Sequence, residues 1–193
     1  EIFYWRSEEP VPDTFDTEND NWVEIWNNVF MQYNHETDGT FKPLKNKNVD
    51  TGMGVERTVS VLNGLKSVYE IDVFQPIIHN IEELSGKKYG SDTKIDTSIR
   101  IIADHSRTAT FILGDPQGVT PARTGAGYIL RRIIRRAVRE GLKLGIEGAF
   151  LAKTAEIIVG LYKDAYPELA EHAEFIKTQL TQEENKFLKT LKS

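Results

Sequence analysis

Residues 49–57, Val-Asp-Thr-Gly-Met-Gly-Val-Glu-Arg, mark the point at which the pattern of this 193-residue sequence changes. Upstream, the segment WVEIWNNVFMQY at 22–33 is rich in aromatic and β-branched residues and has no glycine or proline. That composition predicts a strand, and we expect the strand to be buried on both faces. Downstream, apolar residues recur at helical spacing. We therefore predict an α+β fold, in which a small β-containing part precedes a helical part.

A helix is expected to begin directly after the glycines of this stretch. Asp50 or Thr51 is a suitable N-cap residue, and Gly64 is a suitable stop. The apolar positions of this helix are Val55, Val59 and Leu62. Between the predicted turn at Asp38-Gly39 and residue 49 we expect only a short linker.

The helical part contains about five predicted helices. One apolar stripe consists of Phe74, Ile77, Ile78, Ile81 and Leu84 and ends at Gly86; a second contains Ile102, Ala109, Ile112 and Leu113. Segments 128–142, 150–162 and 172–191 complete the set. We place the boundary near Gly64–Tyr69, which predicts two domains, 1–67 and 68–193.

The composition excludes several classes of protein. There is no cysteine, so disulfides and thiolate zinc sites are excluded, and the four histidines are too scattered to predict a metal site. The apolar runs are far shorter than the roughly 20 residues that span a bilayer. We expect a cytoplasmic protein. We also expect both ends to be cuts within a longer chain, because the sequence lacks an initiator methionine and finishes on a charged helical pattern at 189–193.

The stretch at 50–57 combines residue types that suit a charged small molecule. Gly52 and Gly54 allow a ligand to approach the backbone, and the following helix N-terminus offers free N–H groups to an anion. Arg57 can stack on a nucleobase or hold phosphate oxygens, and Asp50 can hold an ammonium group. The alternative is a glycine turn with Arg57 in a surface ion pair.

The predicted strand carries amide side chains within an apolar run. Asn27, Val29 and Met31 share one face, because side chains alternate along a strand. A pocket floor with one polar anchor shows this pattern. An ordinary core strand shows it as well, and from the strand alone the core is the better interpretation.

The segment 127–139 (GYILRRIIRRAVR) is the strongest indication of a polyanionic partner. Leu130, Ile133, Ile134, Ala137 and Val138 are its inward positions, and the outward arginines are Arg131, Arg132, Arg135, Arg136 and Arg139. Like charges one turn apart destabilise a helix, whereas phosphates would neutralise them. Acids elsewhere in the fold are the alternative partners. His105 is expected to be a hydrogen-bonded core histidine rather than a catalyst.

Taken in order, these segments resemble the alanyl-tRNA synthetases, which are class II aminoacyl-tRNA synthetases. Residues 1–4 and 24–34 resemble two neighbouring segments of the family's catalytic domain. Val49–Arg57 resembles motif 3, and residues 102–105 with 127–139 resemble the tRNA-recognition domain. The resemblance covers nearly the whole chain and implies a remnant of the class II antiparallel sheet followed by a mainly α-helical domain.

The resemblance also implies a reaction, in which alanine is activated with ATP to alanyl-adenylate and then transferred to tRNA(Ala). It implies that Asp50 binds the ammonium group of alanine, that Asn27 binds its carboxylate side, and that Gly52 and Val29 keep the pocket small. Gly54 and Arg57 are the implied ATP-binding residues, with Mg²⁺ accompanying ATP and no zinc in this segment.

The implied partner of the helical domain is the tRNA acceptor stem. Its contacts are expected at Arg123, Arg131, Arg132, Arg135, Arg136 and Arg139. The family commonly has an asparagine at the position of Arg123, where it helps to recognise a wobble G:U pair. Motifs 1 and 2 precede Glu1 in the family order, so we expect that this chain alone does not activate alanine.

Two other functions are compatible with parts of this pattern. A non-catalytic paralogue could use the arginines only to bind structured RNA, and a helical interaction module could use them to bind an acidic protein. A formal net charge of −5 does not by itself indicate a nucleic-acid partner. Residues suited to an ammonium and a nucleotide at 50–57 favour the enzyme over both alternatives.

Overall fold

The computed structural model describes residues 1–192 and shows a three-stranded antiparallel sheet followed by helices. The strands are β1 (Ile2–Trp5), β2 (Trp22–His35) and β3 (Phe41–Met53), in the order β1-β2-β3. The helices are α1 (Val55–Leu62), α2 (Gln75–Ser85), α3 (Thr93–Gly114), α4 (Gly125–Lys143), α5 (Leu151–Tyr162), α6 (Pro167–Glu171) and α7 (Ala173–Lys192), with a 3₁₀ turn at Val68–Glu70. The predicted α+β class is confirmed.

The chain divides into two compact units, Glu1–Ile71 and Asp72–Ser193. The first contains the sheet and α1, and the second contains the other α-helices. The domain boundary predicted from the sequence, after residue 67, remains a prediction about functional domains.

In the first unit, β2 and β3 form a hairpin around the predicted turn. Gly39 adopts a φ of 84°, and the Asp38 carboxylate accepts a hydrogen bond from the Thr40 backbone N–H at 2.9 Å. The prediction of a linker between this turn and residue 49 is wrong, because β3 already begins at Phe41. Pairing with β2 satisfies the backbone of a segment whose own composition does not favour a strand.

The prediction that β2 is buried on both faces is also wrong. Phe30 is 73% exposed and Tyr33 is 59% exposed. β1 pairs only with the part of β2 from Trp22 to Trp26, and this part contains most of the half-buried positions of the strand. The rest of β2 has β3 as its neighbour, and a hairpin alone leaves both faces open.

The transition from sheet to helix occurs one residue before α1. Asp50 and Thr51 are paired with Val29 and Asn28 inside β3, so neither caps the helix as predicted. The N-cap is Gly54, whose N–H donates to the Ile25 carbonyl at 3.1 Å and thereby continues the sheet pairing. The predicted stop at Gly64 lies two residues after the helix, with a φ of 64°.

The second unit has a continuous apolar core. Phe74, Ile77, Ile78 and Ile81 of the predicted stripe are buried, and Gly86 caps α2 in the left-handed conformation. α3 contributes Ile99 and Ile102, α4 contributes Leu130 and Ile134, and α7 contributes Ile176 and Leu180. Each such side chain stabilises the fold by about 1.5–3 kcal/mol when fully buried.

Close packing fixes one glycine of α4. A Cβ atom on Gly141 would lie 2.5 Å from Cε1 of the buried Phe150 ring, so only glycine lets this ring reach the helix. Gly160 in α5 has no atom within 4 Å of the corresponding position.

These two helical glycines should respond oppositely to the same substitution. Gly141→Ala is expected to lower the free energy of unfolding by about 1–3 kcal/mol, because the Phe150 ring must move. Gly160→Ala is expected to raise it by about 0.5–1 kcal/mol, because alanine is the better helix former. Urea denaturation followed by circular dichroism measures both; equal effects would contradict the packing described here.

A buried carboxylate from α7 supports the beginning of α5. Glu184 is fully buried and accepts hydrogen bonds from the backbone N–H groups of Phe150 at 3.1 Å and Leu151 at 3.2 Å. Burial raises the pKa of Glu184 to about 7, although these two hydrogen bonds oppose the shift.

This raised pKa makes stability depend on pH. The folded state binds the Glu184 proton more tightly than the unfolded chain. The stability gained from this protonation is therefore complete below about pH 4.5 and is lost as the pH rises through about 7. In the wild-type chain, the free energy of unfolding should fall by up to roughly 3 kcal/mol across that pH window. Glu184→Gln cannot titrate and should not show this fall. Denaturation at a series of pH values compares the two; identical pH profiles would refute the assignment.

Candidate functional site

The four residues predicted to bind the amino acid lie together on one face of the hairpin. Asn27 is paired directly with Gly52, and Val29 is paired directly with Asp50. Directly opposite residues of an antiparallel pair point to the same side of the sheet, and so do residues two apart along one strand. The hairpin register therefore produces a compact set of one amide, one carboxylate, one branched apolar side chain and one glycine.

Gly52 lies so close to the Asn27 side chain that a larger residue would disturb it. A Cβ atom on Gly52 would lie 3.2 Å from Oδ1 of Asn27, so a larger residue would push the amide away. Asn27 is half-buried, and its Nδ2 donates to Glu24 Oε1 at 3.3 Å. This bond leaves the Asn27 carbonyl oxygen facing the space above Gly52.

The carboxylate of Asp50 is exposed and lacks a cationic partner. Its Oδ1 accepts the Thr51 backbone N–H at 2.9 Å, and no side-chain cation among residues 1–192 forms a salt bridge with it. An exposed carboxylate with free lone pairs can accept hydrogen bonds from an ammonium group.

Arg57 lies on the first turn of α1. Its Nη1 donates to the Glu24 carbonyl at 3.0 Å, and its side-chain stem packs on Gly54, where an added Cβ would lie 3.2 Å from the Arg57 Cδ. This contact differs from the alternative of a surface ion pair, because the acceptor is a backbone carbonyl. Arg57 also borders a cavity of about 420 Å³ that Trp22 and Arg6 help to line. The four residues predicted to bind the amino acid, Asn27, Val29, Asp50 and Gly52, do not line this cavity.

The five arginines of α4 are not equivalent. Arg135 is half-buried, with its Nε donating to Glu183 Oε1 at 2.6 Å and its guanidinium 5.0 Å from the centre of the Phe187 ring. Arg131 lies 5.3 Å from the Tyr128 ring centre and is also half-buried. The exposed members are Arg132, Arg136 and Arg139. Glu183 of α7 thus pairs with Arg135. This agrees, for one arginine, with the alternative that acids elsewhere in the fold are the partners of the series.

The three exposed arginines line a groove of about 470 Å³ together with His105 of α3 and Phe187 of α7. We call it the arginine groove. His105 is hydrogen-bonded, as predicted, with its Nδ1 2.9 Å from Asp104 Oδ2. It is half-buried and lines this groove, so the prediction that it lies in the core is wrong. This hydrogen bond lowers the pKa of Asp104 against the effect of burial, and the charge of Arg136 adds to the lowering. The arginine groove therefore presents cations, and the Asp104 carboxylate is hydrogen-bonded to its lining residue His105.

Arg123 is exposed in the loop before α4 and does not line the arginine groove. The Ala122 N–H donates to the Gly127 carbonyl at 3.0 Å, which folds the loop onto the beginning of the helix. A Cβ atom on Gly127 would lie 2.3 Å from the Thr120 carbonyl oxygen, so glycine is needed for this close approach.

Sequence patterns did not reveal Glu183 as the partner of Arg135. The two residues are 48 positions apart, and no local signal connects them. Within residues 1–192, no group of three or more His, Asp or Glu side chains is placed to hold a metal ion. In the same part of the chain, no helix combines the length and apolar character needed to cross a membrane.

The chain is similar to proteins of known family. An alanine-tRNA ligase of Treponema pallidum is 54% identical over 171 residues, which are 89% of this chain and 28% of that protein. One of Treponema denticola is 59% identical over 157 residues, 81% of this chain and 26% of that protein. One of Pediococcus pentosaceus is 46% identical over 198 residues, 99% of this chain and 22% of that protein.

The chain spans about a quarter of the length of these relatives. The family model described as tRNA synthetases class II (A) matches residues 1–193. The hairpin, the helix that follows it and the helical unit all lie within this match, and the chain belongs to the class II tRNA synthetases.

Proposed function

We propose that the protein containing this chain is an alanine-tRNA ligase, which activates alanine with ATP and transfers the alanyl group to tRNA(Ala). The observation that carries the proposal is the cross-strand set in which Asn27 faces Gly52 and Val29 faces Asp50. The names of the relatives support the same activity. We place the enzyme in the cytoplasm, where its substrates are available.

The hairpin set suits alanine in both charge and size. Asp50 accepts hydrogen bonds from the α-ammonium group, and the Asn27 amide lies beside the carboxylate. Val29 forms a wall next to the methyl group, and Gly52 leaves space without adding bulk. Binding alanine in one orientation raises the rate of its reaction with ATP.

Arg57 is proposed to hold ATP, which is a substrate here and carries Mg²⁺. Gly54 allows the arginine stem to lie against the backbone at the beginning of α1, and the helix N-terminus adds favourable potential for phosphate. In the reaction, a carboxylate oxygen of alanine attacks the α-phosphorus and pyrophosphate leaves. A terminal ribose hydroxyl of tRNA then attacks the carbonyl carbon and AMP leaves. The protein's part is positioning and charge stabilisation.

The exposed arginines of α4 are proposed to contact the phosphates of the acceptor stem. Arg132, Arg136 and Arg139 are one turn apart along the helix and line one groove, so they can follow a single RNA strand. Arg131 and Arg135 remain candidates, although Glu183 already neutralises Arg135. Arg123 lies outside the groove and is proposed to reach base edges in the shallow minor groove of the stem.

Asp50→Asn in the whole enzyme should raise KM for alanine about 100-fold while leaving KM for ATP nearly unchanged. The substitution keeps the shape but removes the charge that pairs with the ammonium group, an interaction of about 3 kcal/mol. Alanine-dependent pyrophosphate exchange is the measurement. Val49→Thr, on the opposite face of β3, is the matched control. Normal exchange by Asp50→Asn would rule out Asp50 as the ammonium ligand.

Arg132→Ala and Arg136→Ala should each reduce the salt dependence of RNA binding. The slope of log K against log salt concentration is expected to fall by about 0.7–0.9 for each lost phosphate contact. The measurement is binding of this chain to an alanine acceptor-stem hairpin across a salt series.

Arg135→Ala is the informative comparison on the same helix. It should leave the slope nearly unchanged and lower the free energy of unfolding by roughly 1–3 kcal/mol, because Glu183 would stay buried without its partner. Unchanged slopes for Arg132→Ala and Arg136→Ala would contradict the proposed RNA surface.

A further inference from the structure

A second groove, of about 640 Å³, lies along α3 and α4. Arg136 and Arg139 line both this groove and the arginine groove, so the two form one continuous surface. The second groove is also lined by Lys94 on the first turn of α3 and Lys143 on the last turn of α4. Neither lysine belongs to the series of RNA-binding residues proposed above.

The second groove is predominantly basic. Lys94, Arg136, Arg139 and Lys143 line it, and Glu140 is the carboxylate among its lining residues. Two further acids lie nearby, Asp92 as the N-cap of α3 and Asp96 on its first turn, and their carboxylates accept hydrogen bonds from the backbone. Asp92 accepts the N–H groups of Lys94 and Ile95, and Asp96 accepts the N–H of Gly90. The lysine and arginine charges of the groove are therefore only partly neutralised.

Glu140 is 2% exposed and is held by three side chains. Ser98 Oγ donates to its Oε2 at 3.0 Å, Lys143 Nζ donates to its Oε1 at 2.9 Å, and Arg139 Nη2 lies 3.5 Å from its Oε1. Burial raises the pKa of Glu140, but the hydrogen bonds from Lys143 and Ser98 and the charges of Lys143 and Arg139 outweigh it, and the net pKa is lowered. Glu140 is thus an anion at neutral pH.

Glu140 contacts two cations, Arg139 and Lys143, without burying them. The side chains of Arg139 and Lys143 each remain 59% exposed, although both approach Glu140. Their hydrogen-bonding capacity towards solvent is retained, since an ammonium has three donors and a guanidinium has five. Ordering such side chains before binding reduces the entropy that is lost when phosphates bind.

We propose that Lys94 and Lys143 extend the RNA-phosphate surface beyond the arginine groove, and that Glu140 positions Arg139 and Lys143 for this contact. The proposal rests on the proposed function, because RNA is taken as the ligand. Residues 136, 139 and 143 are three to four apart, which places neighbouring side chains about 5–6 Å apart along the helix. Lys94 adds a cation from the facing helix, so that phosphates are approached from two sides.

The decisive experiment measures binding of this chain to an acceptor-stem RNA hairpin across a salt series. Lys94→Ala and Lys143→Ala should each lower the slope of log K against log salt by about 0.7–0.9 and weaken binding several-fold at fixed salt. Lys153→Ala is the control, because Lys153 is exposed on α5 and lines neither groove. Lys94 is exposed, so loss of folding cannot imitate the result for Lys94→Ala.

Glu140→Gln tests the positioning role, because positioning and charge repulsion predict opposite changes in RNA affinity. The substitution makes the groove more positive by one charge, so a purely repulsive role for Glu140 predicts tighter RNA binding and a steeper slope. Positioning predicts weaker binding and a shallower slope. Ser98→Ala, which loosens Glu140 without changing any charge, should shift binding in the same direction by a smaller factor. Tighter binding by Glu140→Gln would overturn the positioning role.

The outcomes separate this inference from the function on which it rests. If wild-type chain binds RNA and Arg132→Ala weakens binding while Lys94→Ala and Lys143→Ala behave like Lys153→Ala, the extended surface is wrong and the arginine groove stands. If wild-type chain does not bind RNA, the proposed function of this unit fails together with the inference. Weakened binding by both lysine variants supports the inference.

Discussion

A buried carboxylate needs cations or N–H groups as hydrogen-bond partners. The helical unit depends on three buried carboxylates that have such partners. Glu183 holds Arg135, Glu140 holds Lys143 and Arg139, and Glu184 holds two backbone N–H groups at the beginning of α5. An unpaired buried charge costs several kcal/mol. These contacts therefore determine both how the helices pack and which basic side chains remain available at the surface.

The sheet unit depends on a different constraint, the register of β2 against β3. A shift of one residue would turn Asn27 and Val29 to the face opposite Gly52 and Asp50. The turn at Asp38-Gly39 and the hydrogen bond from the Gly54 N–H to the Ile25 carbonyl hold the two ends of the hairpin. Local chemistry at the turn and at the helix start thus supports the geometry of the proposed alanine pocket.

Sequence patterns predicted the elements that carry strong periodic signals. The apolar stripe ending at Gly86 predicted α2, and the arginine-rich segment predicted α4, because in both the 3.6-residue period is clear over several turns. β3 was missed, since residues 41–48 are rich in lysine and asparagine and contain Pro43. Its strand conformation comes from pairing with β2, and this pairing cannot be predicted from the residues of β3 alone. The exposure of β2 was misjudged for a related reason, because burial depends on what covers a strand.

The amino-acid sequence by itself determined the order of sheet and helices, the candidate residues of the hairpin and the presence of a basic helix. It also determined the family, because an ordered series of motifs is more specific than any single one. The tertiary structure decided which arginines are exposed, that Glu183 neutralises Arg135, and that Glu140 joins Lys143 to the same surface. Periodicity places a side chain relative to its own element. Whether that side chain meets water, a ring or a carboxylate depends on residues far away in the chain, and only folding brings those together.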